Sequence, residues 1–433
     1  MRLLTDIQAA AILLVLLMLV LLRTPALGAA FERKTIDPSN SGRIAIGDID
    51  GDGQNDIVVH TWGTNRGHVG DGTLVWYRYP SWEKETISDG ENYYGDEIRA
   101  VDLDEDGDVD IIAPLGQHFK GTAYAELYWY ENGQNGEVWS KQKVFGRIDG
   151  GEVKDLHLHD LDKDGRLDVA ARLKEEVVIC YQTEGPQWNR VRIKIQAREG
   201  SAVGDIDSDG FEDLVCNGYW LKNPGSRTKA WERYNMDDLW YAQTSFLGRW
   251  FGGSEKKAPE PWRRFAVRAD VGDLDEDGKI DVVFCQSEDR GFPVVWYSSM
   301  NPTGGQDAWI AHELAIVDYC HTLHATDFDL DGDLDLLAAS TKWAGDRSQP
   351  CEAGGGQVII FWNDGTGRFR KELIGERFMY CGVVGDIDND GDPDVVSSCS
   401  WEDGPITLWR NMAISKERKE IYRKGVKDVE KKD

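Results

Sequence analysis

One arrangement of carboxylates recurs along this 433-residue chain. It reads Asp-x-Asp-x-Asp-Gly-x-x-Asp followed by a short apolar run, as in GDIDGDGQNDIVV, VDLDEDGDVDIIA and GDLDEDGKIDVVF. The seven copies place aspartates at Asp48, Asp50, Asp52 and Asp56; Asp102, Asp104, Asp106 and Asp110; Asp160, Asp162, Asp164 and Asp168; Asp205, Asp207, Asp209 and Asp213; Asp273, Asp275, Asp277 and Asp281; Asp327, Asp329, Asp331 and Asp335; and Asp386, Asp388, Asp390 and Asp394. Acids at alternate positions turn into one loop, the glycine at position six (Gly53 in the first copy) permits a tight reversal, and position nine returns from the start of the next strand. Four carboxylates held so closely repel one another unless they share a hard cation with oxygen ligands, and the ion implied is calcium, about one per copy. The flanks read as strands and the last acid falls at position nine rather than twelve, which separates this loop from the helical calcium hand.

The elements that carry the loops repeat with them. The first aspartates of successive copies are 54, 58, 45, 68, 54 and 59 residues apart. A short apolar segment such as Arg43-Ile44-Ala45-Ile46 precedes each loop, and a Val/Ile/Leu run follows it. A glycine-containing turn and an aromatic strand (LVWY, LYWYEN, IIFWN, TLWRN) come next, and most units close on a fourth segment such as Trp139 to Val144 or Phe369 to Ile374. Four short strands per unit, seven times over, predict an all-β, seven-bladed β-propeller of four-stranded antiparallel blades. The seventh unit lacks its fourth segment. Phe31-Glu32-Arg33-Lys34-Thr35-Ile36 has the form of Phe369-Arg370-Lys371-Glu372-Leu373-Ile374, so residues 31–37 are expected to supply the outer strand of blade seven and close the ring.

These units resemble the FG-GAP (VCBS) repeats of integrin alpha-chain propellers and of many exported bacterial proteins, over about residues 31–412. The eponymous Phe-Gly and Gly-Ala-Pro triplets are mostly absent; the second unit keeps only Ala113-Pro114. The resemblance implies that each calcium loop joins the innermost and second strands on the lower face. It also implies ligation by the side chains at positions one, three, five and nine, which are the 28 aspartates above, with the carbonyl at position seven.

The opposite, upper face then collects the loops after each second strand and the entries into each first strand. Its polar and aromatic residues suit a ligand funnel for a glycan or an extracellular protein, and a binding or adhesion module is the expected function. Related calcium-bearing propellers serve some polysaccharide lyases and sugar dehydratases, so by resemblance His321, His324, His157, His118, His60, Tyr94 and Arg172 are candidates for a base and a carboxylate clamp. A transition metal held by His321, His324, His60 and His118 is an alternative. Against both stands a structural reading, in which Arg43, Glu97, Arg99, Asp155, His157, Arg268, Asp270 and His324 alternate with apolar residues on the first strands and pair between blades. A purely structural propeller is the third possibility.

Composition bounds the rest. With 49 Lys+Arg against 77 Asp+Glu the formal charge is −28, which excludes a nucleic-acid partner. The 28 loop aspartates equal that excess, so the acidity describes metal ligands more than a diffuse surface. Arg2, the apolar run Ala9 to Leu22 and the small residues to Ala30 read as a signal peptide, or as an N-terminal membrane anchor if uncleaved, which places residues 31–433 outside the cytoplasm. An aromatic insertion of about residues 237–261 interrupts the unit between copies four and five, and residues 413–433 form a charged tail. Of the seven cysteines, Cys381 and Cys399 flank the last motif and are a candidate disulfide, the alternative being buried thiols that act as small apolar side chains.

Overall fold

The computed structural model describes residues 31–63, 70–117, 123–196, 199–240, 267–341, 354–399 and 404–413. These form seven four-stranded antiparallel sheets, each ordered as its strands follow in sequence, with one exception at the seam. The first blade runs Arg43–Gly47, Asp56–Thr61, Gly72–Arg78 and Glu83–Glu91. The innermost strands of the others are Arg99–Val101, Val153–His159, Ala202–Gly204, Val267–Gly272, Cys320–Thr326 and Cys381–Gly385. At the seam Phe31–Asp37 pairs with Ile406–Asn411, with Phe31 opposite Asn411 and Thr35 opposite Thr407, as the matching sequences predict. Among the described residues no helix is long and apolar enough to cross a membrane.

A propeller blade buries both faces, which explains why the second strands are continuous apolar runs rather than alternating ones. Asp56–Thr61 (DIVVHT) is buried except at its last residue. The core is divided into layers, each shared by two neighbouring blades. Ala45, Val58 and Trp76 of blade one meet Ile98, Ile111 and Tyr130 of blade two, and Ile44, Ile57 and Tyr77 on the other face meet Ile387, Val396 and Leu408 of blade seven. The closing strand adds Phe31 to one seam layer and Ile36 to the other. Outer strands carry the polar sequence: Glu83–Glu91 is half-buried or exposed throughout.

The blades are also locked by a repeated hydrogen bond. Asn132, Gln182, Asn223, Asn363 and Asn411 lie within one residue of the end of a third strand and donate a side-chain amide to the carbonyl of Ile49, Leu103, Leu161, Leu274 or Phe328 of the preceding blade, at 2.7–3.0 Å. Each acceptor is position two of an acidic loop, so the loops sit on the seams. Cys399 is disulfide-bonded whereas Cys381 is a free thiol, so the pairing of those two is not formed. Cys381 faces the channel wall, and Cys180, Cys216, Cys285 and Cys320 are buried free thiols that fill apolar space. The predicted leader (1–30), the tail beyond residue 413 and the insertion residues Phe246, Trp250 and Phe251 lie outside the described residues.

Candidate functional site: acidic loops below, a charged mouth above

Each acidic loop joins the innermost strand of its blade to the second. In at least four of the loops, carboxylate oxygens from positions one, three and nine, such as Asp48, Asp50 and Asp56, lie within 4.8 Å of one another, a spacing compatible with a shared metal ion. The backbone is wound for this. Gly53 (φ 85°) and Gly107 (φ 99°) take the left-handed conformation at position six. At position four non-glycine residues do the same, Glu105, Lys163 and Leu330 among them, at φ 60–61°. Backbone amides of positions five and six donate to the first aspartate, as Asp52 and Gly53 do to Asp48 at 3.1 and 2.8 Å.

The ninth aspartate carries the heaviest load. Asp110 is fully buried, and its two oxygens accept the amides of Leu103 (3.1 Å) and Asn132 (2.8 Å). Burial, and then the neighbouring acids, push Asp56, Asp110, Asp168 and Asp213 up to about 7 and Asp281, Asp335 and Asp394 up to about 8, although the amide bonds act the other way. At position three, the Oδ1 atoms of Asp162, Asp207, Asp275 and Asp329 are buried with no hydrogen-bond partner. Orphaned hard oxygens beside carboxyls driven toward the neutral form are what a divalent cation would satisfy, so the residues fit calcium.

The loops differ in their neighbours. Lys222 reaches Asp207 and lies 2.6 Å from Asp209 in the fourth loop, Arg227 reaches Asp162 and Asp164 in the third, and Arg78 and Arg410 approach Asp50 and Asp388. The second loop has an acid instead: Glu131 helps to raise Asp104, after burial and Asp106.

The innermost strands surround an axial channel of about 730 Å³ lined by Ile44–Ile46, Asp96–Ala100, Asp155, His157, Arg268–Val271 and His321–His324 among others. At its upper end side chains from all blades meet. Buried Arg43 of blade one pairs with Asp96 of blade two, donates to the Tyr380 hydroxyl of blade seven (2.8 Å), and stacks its guanidinium on the Tyr380 and Trp62 rings. Lys154 of blade three lies 3.0 Å from Asp96, 2.8 Å from Glu152 and 3.4 Å from Glu199. Burial opposes its charge, but the three acids outweigh burial and hold its pKa well above that of an ordinary lysine. Arg268 of blade five reaches Asp155 of blade three (3.2 Å) and Glu97 of blade two (3.7 Å).

The seven candidate residues separate in this frame. His321, 4% exposed, stacks on Tyr380, and its Nδ1 lies 2.8 Å from the Tyr380 carbonyl and 3.1 Å from Arg268. The carbonyl can only accept and the guanidinium can only donate, so the two contacts call for opposite tautomers: Nδ1 bears the proton when it donates to Tyr380 and the lone pair when it accepts from Arg268. Burial and then Arg268 keep the ring neutral. Tyr94 joins the same network by donating to Glu152 at 2.9 Å. His157 bonds Ser201 (2.9 Å), and burial lowers its pKa to about 3. His324 donates from Nε2 to the Gly382 carbonyl (2.7 Å) farther down the wall. Two candidates are not at the mouth surface. Arg172 is fully buried and donates to Gly200 O (2.5 Å) and Asn217 Oδ1 (2.9 Å). His60 is fully buried against Tyr93, with burial lowering its pKa to about 3. His118 lies outside the described residues. Sequence reasoning had no place for Asp96, Glu152, Lys154, Glu199 or Tyr380, which form much of the network.

The model of the FG-GAP-like repeat matches residues 48–113 and 273–338, each running from one acidic loop through the next and into the strand that follows it. No curated protein matches the sequence. Among solved structures, an Agrocybe aegerita lectin described for specific recognition of non-reducing terminal N-acetylglucosamine aligns at 16% identity and TM-score 0.47, over 79% of this chain and 81% of the lectin. BBS1N, solved in complex with ARL6DN, aligns at 9% identity and TM-score 0.49, over 88% of this chain and 96% of that one. With seven four-stranded blades and the repeat matched at two separate places, the chain is a seven-bladed β-propeller carrying FG-GAP-like repeats.

Proposed function

We propose that the protein is an extracytoplasmic, calcium-stabilised binding module, with about seven ions in the lower loops and a glycan or protein ligand at the upper mouth. The observation that carries the ligand side is convergence: Arg43, Asp96, Lys154, Glu199, Arg268, His321 and Tyr380, one from each blade, meet at one end of a channel of about 730 Å³. Pre-formed and hydrogen-bonded, such a mouth needs little reordering to bind. The disulfide at Cys399 supports an oxidising compartment, and with it the reading of residues 1–30 as an export signal or anchor. The lyase alternative asks for a base beside a carboxylate clamp, and Arg172, the clamp named from the sequence, is buried beneath the mouth.

The test is a glycan array, together with extracellular protein fractions, probed by the calcium-loaded chain and by its Lys154→Met and Tyr94→Phe variants. Binding that the variants weaken tenfold or more supports the mouth as the site. No binding by the calcium-loaded chain leaves a structural propeller, and unsaturated product from uronate polymers would reinstate the lyase.

A further inference from the structure

The mouth holds one further cluster, which shares Glu199 and His321 with the network above and adds Glu288. Glu199 precedes the innermost strand of blade four, Glu288 follows the second strand of blade five, and His321 lies at the start of the innermost strand of blade six. One carboxylate oxygen from each glutamate and one imidazole nitrogen lie within 4.8 Å of one another. Glu199 is anchored by the Ser287 hydroxyl (3.1 Å) and by Lys154. The Glu288 carboxylate is half-buried, and no hydrogen bond or ion pair joins it to the described residues. His321 is 96% buried; in the tautomer whose Nδ1 donates to the Tyr380 carbonyl the lone pair belongs to Nε2, for which the described residues offer no hydrogen-bond partner. A backbone carbonyl that orients an imidazole through its far nitrogen is the usual outer support of a metal-bound histidine.

We infer that Glu199, Glu288 and His321 form a site for one divalent transition ion of the zinc or cobalt type, at the upper mouth and separate from the acidic loops. Two carboxylates with one imidazole suit such an ion better than calcium, which the all-oxygen loops select. The ion would neutralise two acids that otherwise face each other across a few ångströms. Three protein ligands leave at least one coordination position for water or for an oxygen of a ligand entering the mouth. The three residues come from three blades, Glu199 and His321 each six places before the first aspartate of a loop and Glu288 after a second strand, so the site belongs to the assembled ring alone. It does not depend on the identity of the mouth's ligand or on the loops holding calcium.

The experiment titrates Co2+ and Zn2+ into the full chain in excess calcium, which occupies hard-oxygen sites. The expected result is one equivalent bound per chain, with visible cobalt absorption of imidazole ligation. Affinity should fall tenfold or more in His321→Ala and in Glu288→Gln, and stay unchanged in His324→Ala. Glu288→Gln is close to isosteric at a carboxylate that bonds none of the described residues, so its melting curve should match the parent and separate lost ligation from lost folding. No stoichiometric binding in excess calcium would overturn the site, as would binding that survives both substitutions.

Discussion

At the lower end of the innermost strands Asp102, Asp104 and Asp110 converge with no cation side chain among them, whereas at the upper end Asp96, Glu152 and Glu199 gather around Lys154. Both ends crowd carboxylates into partly buried space, and they resolve the crowding differently. Below, the same backbone device recurs from blade to blade: an αL turn, a glycine, and a ninth aspartate that accepts two backbone amides, or one in the case of Asp281. Non-glycine residues at position four accept a left-handed conformation that costs about 1–2 kcal/mol each, which a shared ion would offset. Above, each blade contributes a different residue, and cations from one blade answer acids from another. Repetition marks chemistry that each blade performs alone; its absence marks chemistry that only the closed ring performs.

Removing a cation from the upper network should have the largest effect of a single substitution. Arg268→Met leaves Asp155 with Arg172 alone at 3.8 Å and Glu97 with Arg99, and should cost about 3 kcal/mol in denaturant unfolding, with calcium present or absent. An upper network that mattered little to stability would show less than about 1 kcal/mol.

The lower end should respond to pH. A ninth-position carboxyl held at about 7 or 8 in the folded, ion-free chain keeps a proton that the unfolded chain has lost above its ordinary value near 4. Stability therefore falls as pH rises through that window. The chelated protein should melt lower at pH 8 than at pH 5, by about 5 °C or more. Calcium should reverse the slope, because it binds the deprotonated form. Parallel pH profiles with and without calcium would break the distinction between the two ends.

How much of this was legible in the sequence follows the same division. The blades, the loops and the ring closure by residues 31–37 were readable because each is a copy of something else in the chain. The mouth was only partly readable. Asp96, Lys154, Glu199, His321 and Tyr380 all stand six places before the first aspartate of their loops, so aligning the units on the motif would have collected them, although their types differ. Arg172 and His60 were chosen by residue type, and only packing shows that they are enclosed. The Asn and Gln locks escaped notice because the hairpin before each varies in length, from Asp213 to Asn223 in blade four and from Asp335 to Asn363 in blade six.

Those locks give a smaller effect. Asn132→Ala removes amide bonds to Ile49 and Val109 and leaves two buried carbonyls, which should cost about 2 kcal/mol and weaken calcium binding at the first and second loops together. A loss confined to one loop would argue against seam coupling. The smallest effect compares two loops: Lys222→Gln should raise the affinity of the fourth for calcium by about threefold, and Glu131→Gln should lower that of the second to a similar degree. Equal calcium isotherms for both variants and the parent would show that these neighbours do not set loop affinity.

The central claim is that the repeated acids are metal ligands. It is tested most directly by thermal unfolding of the chelated chain with calcium chloride or with sodium chloride of equal ionic strength, alongside a calorimetric count of bound calcium. The account predicts a rise in Tm of about 10 °C or more with calcium alone, about seven ions per chain, and little change with sodium. Superimposable melting curves in the two salts would contradict it.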